Sequence, residues 1–180
     1  NAIYQIGDVK DKDSILQTLN DYKPNVVINT AALKHVPVCE SNPYESVKTN
    51  IIGHKNLIDC ITVCNHQIET LMFISTDKAC APINLYGATK LCSDKLFISG
   101  NRIKGNKDIN FSVVRYGNVF GSRGSVFNIF KNHIKKGFFP ITDKEMTRFN
   151  ITLDEGVSYV VDALKNSQGG EIIIPKLKSF

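Results

Sequence analysis

The sequence predicts an α/β fold, a Rossmann-like doubly wound parallel sheet. Three observations support this prediction. Short apolar segments rich in β-branched residues alternate with segments of helical periodicity. The first four strand candidates lie 20 to 45 residues apart, and no repeat or low-complexity linker interrupts the alternation. Strands separated by helices in this way form βαβ units and therefore a parallel sheet.

The predicted elements follow one another along the chain. The strand candidates cover residues 2–6, 26–28, 71–75, 111–116 and 172–174. The helix candidates cover residues 12–22, 43–64, 84–99, 126–136 and 152–165. Pro43 suits the first turn of its helix, and Gly100 and Gly137 each follow the end of another. Thr152 and Glu155 match a capping box at the start of the last helix.

Composition argues against several classes of protein. The 22 Lys and Arg exceed the 17 Asp and Glu by 22 − 17 = 5. This mild excess fits phosphate-bearing ligands or a solvated lysine-rich surface, and no nucleic-acid-binding motif accompanies it. No signal peptide opens the chain, and no apolar run approaches the roughly 20 residues of a membrane span. The five cysteines form no CxxC pair, so we expect neither a disulfide framework nor a metal site, and a cytoplasmic location.

Tyr86 and Lys90 form a Tyr-x-x-x-Lys pair on a predicted helix. Residues four apart share one face of a helix. A phenol titrates near pH 10, and a neighbouring ammonium lowers that pKa. The pair therefore suits a base that takes a hydroxyl proton while a hydride leaves. On spacing alone, a surface tyrosine and lysine on an amphipathic helix is the commoner interpretation.

Thr76, Asp77 and Lys78 follow directly on a predicted apolar strand. Ligands of open α/β sheets bind at the carboxyl ends of the strands. Asp77 and Lys78 are thus expected to face the same cavity as Tyr86. An acid, a base and a phenol within ten residues suit proton transfers at neighbouring carbons. The alternative interpretation is a polar loop without chemistry.

The chain resembles the configuration-inverting UDP-N-acetylglucosamine 4,6-dehydratases, NADP-dependent enzymes of the extended short-chain dehydrogenase/reductase family. The resemblance lies in seven segments in the family's order, which are residues 7–9, 29–37, 48–53, 75–79, 82–90, 114–119 and 146–149. Related epimerases usually carry small residues after the threonine, and retaining dehydratases usually carry Asp-Glu, so Asp77 and Lys78 favour the inverting type. Larger membrane-anchored relatives commonly have methionine in place of Tyr86. Its presence favours the short branch that begins pseudaminic acid synthesis.

The resemblance implies a catalytic set, which is Thr76, Asp77, Lys78, Tyr86 and Lys90. Tyr86, assisted by Lys90, takes the proton of the 4-hydroxyl as a hydride passes to NADP. Lys78 then removes the proton at carbon 5, and Asp77 protonates the departing 6-hydroxyl. Return of the hydride to carbon 6 and reprotonation of carbon 5 from the opposite face give the UDP-4-keto-6-deoxy-L-arabino-hexosamine.

The resemblance also implies binding residues. NADP is expected to contact Asp8, Val9, Thr30, Ala31, Ala32, Lys34, Thr49, Tyr86, Lys90 and Val119. UDP-N-acetylglucosamine is expected to contact Lys34, Asn118, Arg123 and Arg148. The two arginines would supply the paired donors that a diphosphate needs. By resemblance we also expect a homo-oligomer, with neither nucleic acid nor a membrane as a partner.

The predicted domain organisation is a partial one. Residues 1–125 are assigned to an NADP-binding Rossmann-like core, and residues 126–180 to part of a small C-terminal substrate lobe plus elements that return to the core. Residues 1–10 hold no Gly-rich turn of the kind that seats a pyrophosphate. We therefore expect the sheet to be incomplete at the N-terminus and this chain alone to bind NADP weakly.

Two other functions stay open. A sugar-nucleotide 4-epimerase would share the fold, although Asp77 and Lys78 argue against it. A non-catalytic nucleotide-sugar-binding protein would also keep the fold, but it has no need of all four of Asp77, Lys78, Tyr86 and Lys90.

Overall fold

A central parallel sheet is the main feature of the computed structural model, which describes residues 2–122, 125–134, 136–141 and 143–179. The six strands are β1 (Val26–Asn29), β2 (Thr70–Ile74), β3 (Asn110–Val114), β4 (Asn118–Val119), β5 (Asn150–Ile151) and β6 (Ile172–Ile173). The sheet has the order β1-β2-β3-β6 with every pair parallel. Strands β4 and β5 form a separate parallel pair. The predicted α/β fold class is confirmed.

Helices connect these strands. They are α1 (Lys12–Tyr22), α2 (Val36–Ser41), α3 (Pro43–Val47), α4 (His54–Val63), α5 (Leu85–Ile103), α6 (Val126–Ile134) and α7 (Leu153–Asn166). A π-helical segment, Lys48–Gly53, joins α3 to α4, so the long predicted helix is present but not regular. Side-chain oxygens of Asp11, Asn84 and Thr152 cap three helices, the last with the full capping box that the sequence predicts.

Strands β2 and β3 are buried on both faces, whereas Val26 and Ile28 of β1 are exposed. Helices α1, α4 and α5 cover one face, where Leu71 and Phe73 of β2 point. Helix α7 covers the other face, where Met72 packs against Val160. Because neighbouring residues of a strand point to opposite faces, the continuous apolar run of β2 is what a parallel sheet covered on both sides requires.

One predicted strand and the predicted end of one helix are wrong. Residues 2–6 form no strand, and the side chains of Tyr4 and Ile6 are almost fully exposed. A strand needs hydrogen-bonding partners, and among the described residues no strand lies beside this segment. Helix α5 also runs three residues past Gly100. There the missing side chain makes room for the ring of Phe111, which would lie 2.6 Å from a Cβ atom.

Candidate active site

The turn after β2 holds the predicted acid and base. Ser75 continues the sheet by donating its N–H to the Val114 carbonyl at 2.7 Å. Thr76 begins a short 3₁₀ turn, Asp77–Ala79, and its hydroxyl donates to Asp77 Oδ1 at 2.9 Å. Since β2 and β3 are parallel neighbours, this turn lies at the shared carboxyl edge of the sheet, where ligands of α/β proteins bind.

Lys78 joins this turn to the segment after β3. Its ammonium donates to Asp77 Oδ1 at 3.1 Å and to Asn118 Oδ1 at 3.0 Å. Both members of the Asp77–Lys78 ion pair keep about a third of their side-chain surface exposed. Three residues that the sequence predicts for the site are therefore in direct contact, and they remain open to a ligand.

Tyr86 lies on the first turn of α5 and is 8% exposed. Burial raises the pKa of its phenol to about 12, against the opposing effect of a hydrogen bond with Thr76. The sequence predicts a phenol whose pKa is lowered by Lys90, whereas in the protein as it stands burial has the larger effect and the pKa is raised. The phenol is therefore a proton donor at neutral pH in the protein as it stands.

Lys90 lies one turn further along α5 and is 3% exposed. Its ammonium donates to the Ile74 carbonyl at 2.8 Å and lies 3.9 Å from the centre of the Phe73 ring. Burial lowers the pKa of Lys90 to about 7, while the nearby Asp94 carboxylate opposes this shift. An amine that titrates near neutral pH suits reversible proton transfer, which is a feature of catalytic sites.

Gly87 sets the distance between α5 and the acid–base turn. A Cβ atom at this position would lie 2.2 Å from the backbone oxygen of Lys78. The Gly87 N–H is also the donor that the capping oxygen of Asn84 accepts, at 2.8 Å. Helix α5 can therefore pack this closely against the Lys78 backbone only because residue 87 has no side chain.

The loop after β1 contains predicted cofactor residues. Asn29 is buried and accepts a hydrogen bond from the Ala31 N–H at 3.1 Å, while its own amide nitrogen has no partner among the described residues. Thr30 is exposed, and Ala31 and Ala32 are half-buried. The small alanine side chains and the unpartnered Asn29 amide suit close approach of a nucleotide to this backbone.

Asn50 of the π-helical segment ties this loop to α5. Its side chain accepts from the Leu33 N–H at 2.8 Å and donates to the Leu33 carbonyl and the Thr89 hydroxyl, each at 3.0 Å. Thr89 precedes Lys90 directly. The extra residue of the π-helical segment thus lies at a junction between two parts of the site, as π-bulges in helices often do.

His54 makes a second link between the same two parts. Its Nε2 atom lies 2.8 Å from the Ala31 carbonyl, and its Nδ1 atom lies 2.8 Å from the Ser93 hydroxyl. Burial lowers its pKa to about 4, so the ring is neutral at pH 7 and carries one N–H. Because a carbonyl can only accept, the contact with Ala31 places that proton on Nε2.

The remaining predicted cofactor residues of the N-terminal half lie at the π-helical segment or on the surface. Val9 packs against Gly53, where a Cβ atom would lie 2.7 Å from the Val9 side chain. Asp8 is exposed and forms a 3.5 Å ion pair with Lys10. Thr49 precedes Asn50 and is half-buried, and Lys34 is exposed.

The predicted substrate residues are less well gathered. Asn118 reaches Lys78, and Val119 is its neighbour in β4, but Arg148 is exposed and donates to the adjacent Thr147 carbonyl at 2.9 Å. Arg123 lies outside the described residues. A cleft of about 390 Å³ adjoins β4 and β5 and has Lys176 in its lining, but it does not include the catalytic candidates.

Several residues that build the site are absent from the sequence prediction. Asn50, His54, Gly87, Asp94 and Arg115 all hold its parts together. One signal was available, because Asn50 and His54 are polar residues within a largely apolar helical segment, where a buried polar group needs a partner. Nothing in the sequence indicates which partner each one finds.

No metal site or membrane helix is evident in the part of the chain that the structure describes. Its His, Cys, Asp and Glu side chains form no group of three that could hold a metal ion. None of its helices combines the length and apolarity that crossing a bilayer requires.

Known proteins resemble the chain over its whole length. A family model described as "Polysaccharide biosynthesis protein" matches residues 1–180. A UDP-N-acetylglucosamine 4,6-dehydratase (inverting) from Campylobacter jejuni is 52% identical over 98% of this chain and 52% of that protein. A UDP-glucose 4-epimerase from Rickettsia rickettsii is 38% identical over 96% of this chain and 50% of that protein. The X-ray structure of Pen from Bacillus thuringiensis has a TM-score of 0.91 and 38% identity, and the match covers 99% of this chain and 54% of that one. The chain spans about half the length of these relatives.

Proposed function

Because the chain belongs to the polysaccharide biosynthesis protein family, we propose that it contributes the catalytic residues of an NADP-dependent UDP-N-acetylglucosamine 4,6-dehydratase that inverts carbon 5. The observation that carries the proposal is the hydrogen-bonded group formed by Asp77, Lys78 and Asn118. This group is joined through Thr76 to Tyr86, since Thr76 hydrogen-bonds both Asp77 and Tyr86. A carboxyl group and an amine in contact can serve elimination, in which one proton leaves carbon and another joins the departing oxygen.

Tyr86 and Lys90 are proposed to handle the proton of the 4-hydroxyl. NADP, when bound, accepts a hydride and brings a positively charged ring. As it stands, the Tyr86 phenol has a pKa of about 12, so it becomes a base only when positive charge comes near it. Lys90, with a pKa of about 7, is the residue on the same helix face that can carry such a charge.

Lys78 and Asp77 are proposed to remove water. Once a proton passes from the Lys78 ammonium to the Asp77 carboxylate that it contacts, the neutral Lys78 amine takes the proton from carbon 5, which a 4-ketone makes acidic. The Asp77 carboxyl then protonates the leaving 6-hydroxyl. Asn118 accepts from the Lys78 ammonium and so fixes its direction. Partial exposure of both charged side chains supports the proposal, because a sugar must reach them.

The proposed binding residues are those of the resemblance. The loop at Thr30, Ala31 and Ala32 would hold the cofactor, with Asp8, Val9, Lys34, Thr49 and Val119 as further contacts. Lys34, Asn118, Arg123 and Arg148 would hold the substrate. We further propose the division into a cofactor-binding core, residues 1–125, and part of a substrate lobe with returning core elements, residues 126–180. Homo-oligomers in the cytoplasm and a role at the start of pseudaminic acid synthesis complete the proposal.

The test is proton NMR of the protein as its gene encodes it, with UDP-N-acetylglucosamine and NADP in deuterated water. A new 6-methyl signal, deuterium at carbon 5 and inverted configuration are expected. The same methyl signal with retained configuration would overturn the role of Lys78 but keep the reaction class. A substrate that stays unchanged would leave only a binding protein.

A 4-epimerase is the second candidate, and relatives of that name favour it. An epimerase moves a proton and a hydride at carbon 4 alone, so it needs no acid for a leaving hydroxyl. The same NMR experiment separates the two functions, because an epimerase changes the signals of carbon 4 and produces no methyl group.

A further inference from the structure

A buried ion pair lies behind the catalytic helix face. Asp94 of α5 is fully buried, and Arg115, which follows β3, is 12% exposed in its side chain. The Asp94 Oδ2 atom accepts from Arg115 Nε at 2.8 Å and from Nη2 at 2.6 Å. Two charged donors on one carboxylate oxygen give a strong contact, yet burying such a pair generally costs as much as it gains. Its position near Lys90 suggests a role other than stability.

Asp94 follows Lys90 by one helical turn, so both side chains leave the same face of α5. The other carboxylate oxygen, Oδ1, is buried without a full hydrogen bond among the described residues, and so is the Ser75 hydroxyl. Burial alone raises the pKa of this carboxyl, while Ser75, Arg115 and Lys90 all favour its charged form.

Among the described groups around the Lys90 ammonium, one carries a negative charge. Strand β2 offers the Ile74 carbonyl and the face of the Phe73 ring. Helix α4 offers His54, which is neutral, and α5 itself offers the neutral phenol of Tyr86. The carboxylate that acts on Lys90 in the described part of the protein is that of Asp94.

We propose that Asp94, held in place by Arg115, is a positioning residue that serves as the buried counter-ion of Lys90. Asp94 favours the charged form of Lys90. Arg115 in turn keeps the Asp94 carboxylate ionised and fixes its orientation. The inference rests on the proposed function for the use made of Lys90, but the electrostatic link between Asp94 and Lys90 can be measured without turnover.

The experiment follows the charge of Lys90 directly. The protein as its gene encodes it is labelled with ¹³Cε-lysine, and its lysine signals are titrated by NMR between pH 5 and 11. The Lys90→Arg variant identifies the signal. Asp94→Asn is expected to lower the titration midpoint of Lys90 by roughly one unit or more, because the carboxylate that favours its charged form is removed. Asp94→Glu keeps the charge and is expected to restore most of the midpoint.

The control is Asp59→Asn on α4, which also removes an ion-paired carboxylate, one that Lys55 contacts. Its Lys90 midpoint should match the unaltered protein. A structural role alone would make Asp94→Asn less stable but leave the Lys90 midpoint in place, and this result would overturn the proposal. If Asp94→Asn does not fold, the double variant D94N/R115Q removes both buried charges together and is titrated instead. A smaller decrease is expected, because loss of the Arg115 cation partly offsets loss of the Asp94 anion, and an unshifted midpoint would overturn the proposal.

Absence of dehydratase activity in the NMR assay would refute the proposed function without changing the Lys90 titration. An unshifted Lys90 midpoint in the Asp94 variants, with normal dehydration, would refute the counter-ion alone.

Discussion

The two halves of the candidate site, helix α5 and the turn after β2, differ in the solvent exposure of their side chains. On α5, Lys90 is 3% exposed and its neighbours Ser93 and Asp94 are fully buried. In the turn after β2, Asp77 and Lys78 keep about a third of their side-chain surface exposed. The buried half changes the pKa of its groups through loss of water, while the exposed half depends on hydrogen bonds for orientation. Different elements of the fold therefore serve two needs: α5 shifts the pKa values of its side chains, and the turn after β2 leaves its side chains accessible to a substrate.

The largest expected effect is that of Tyr86→Phe, in the buried half. Loss of the phenol should lower kcat for dehydration by about 10² to 10⁴-fold, the usual contribution of a proton-transfer group. The NMR assay of methyl formation measures it. Tyr22→Phe, at the half-exposed end of α1, is the control and should leave kcat unchanged. Full activity in Tyr86→Phe would remove this residue from the proposed chemistry.

His54 is expected to make stability depend on pH. Its folded pKa of about 4 lies below the unfolded value of 6.5, so the unfolded chain binds more protons between these values. The free energy of unfolding should therefore fall as the pH drops from 6.5 to 4, by roughly 3 kcal/mol in total. Urea unfolding at several pH values should give a shallower fall for His54→Gln.

The control for this measurement is His66→Gln. His66 lies 3.2 Å from the Pro24 carbonyl and outside the network behind α5. Its variant should keep the pH dependence of the unaltered protein. Equal slopes for His54→Gln and the unaltered protein would mean that the imidazole is not kept neutral by burial.

Gly87→Ala tests the contact that joins the two halves. The new Cβ would lie 2.2 Å from the Lys78 backbone oxygen, and backbone cannot move aside as a flexible side chain can. The free energy of unfolding should fall by about 1–3 kcal/mol. Gly156→Ala in α7 meets nothing within 4 Å, so it should gain up to about 1 kcal/mol. Denaturant unfolding of both variants gives the comparison, and equal stabilities would contradict the close approach.

The smallest expected effect belongs to the exposed half. Asn118→Ala removes one of two acceptors of the Lys78 ammonium, and kcat should fall about tenfold. Asn65→Ala, on the surface after α4, serves as the control in the same assay. A loss as large as that of Tyr86→Phe would mean that Asn118 touches the reacting atoms rather than orienting Lys78.

The sequence predicts the fold better than it predicts the site. Periodicity and caps locate α1, β2 and α7 closely, because local patterns determine these elements. It also predicts that Lys78 and Asp77 share the carboxyl edge of the sheet. The shift in the pKa of Tyr86 is missed, since burial depends on packing between elements distant in sequence. The pairing of Asp94 with Arg115 is missed for the same reason: the two are 21 residues apart.

The π-helical segment at Lys48–Gly53 has one further consequence. Such a segment accommodates one more residue than a regular helical turn, and here that turn points Asn50 at both Leu33 and Thr89. Removing one of its other residues is expected to restore a regular α-helix and to turn Asn50 away from at least one of these partners. The number of residues between α3 and α4 therefore matters to the site as well as their identities. A deletion that makes the helix regular would still break the link between the loop after β1 and helix α5.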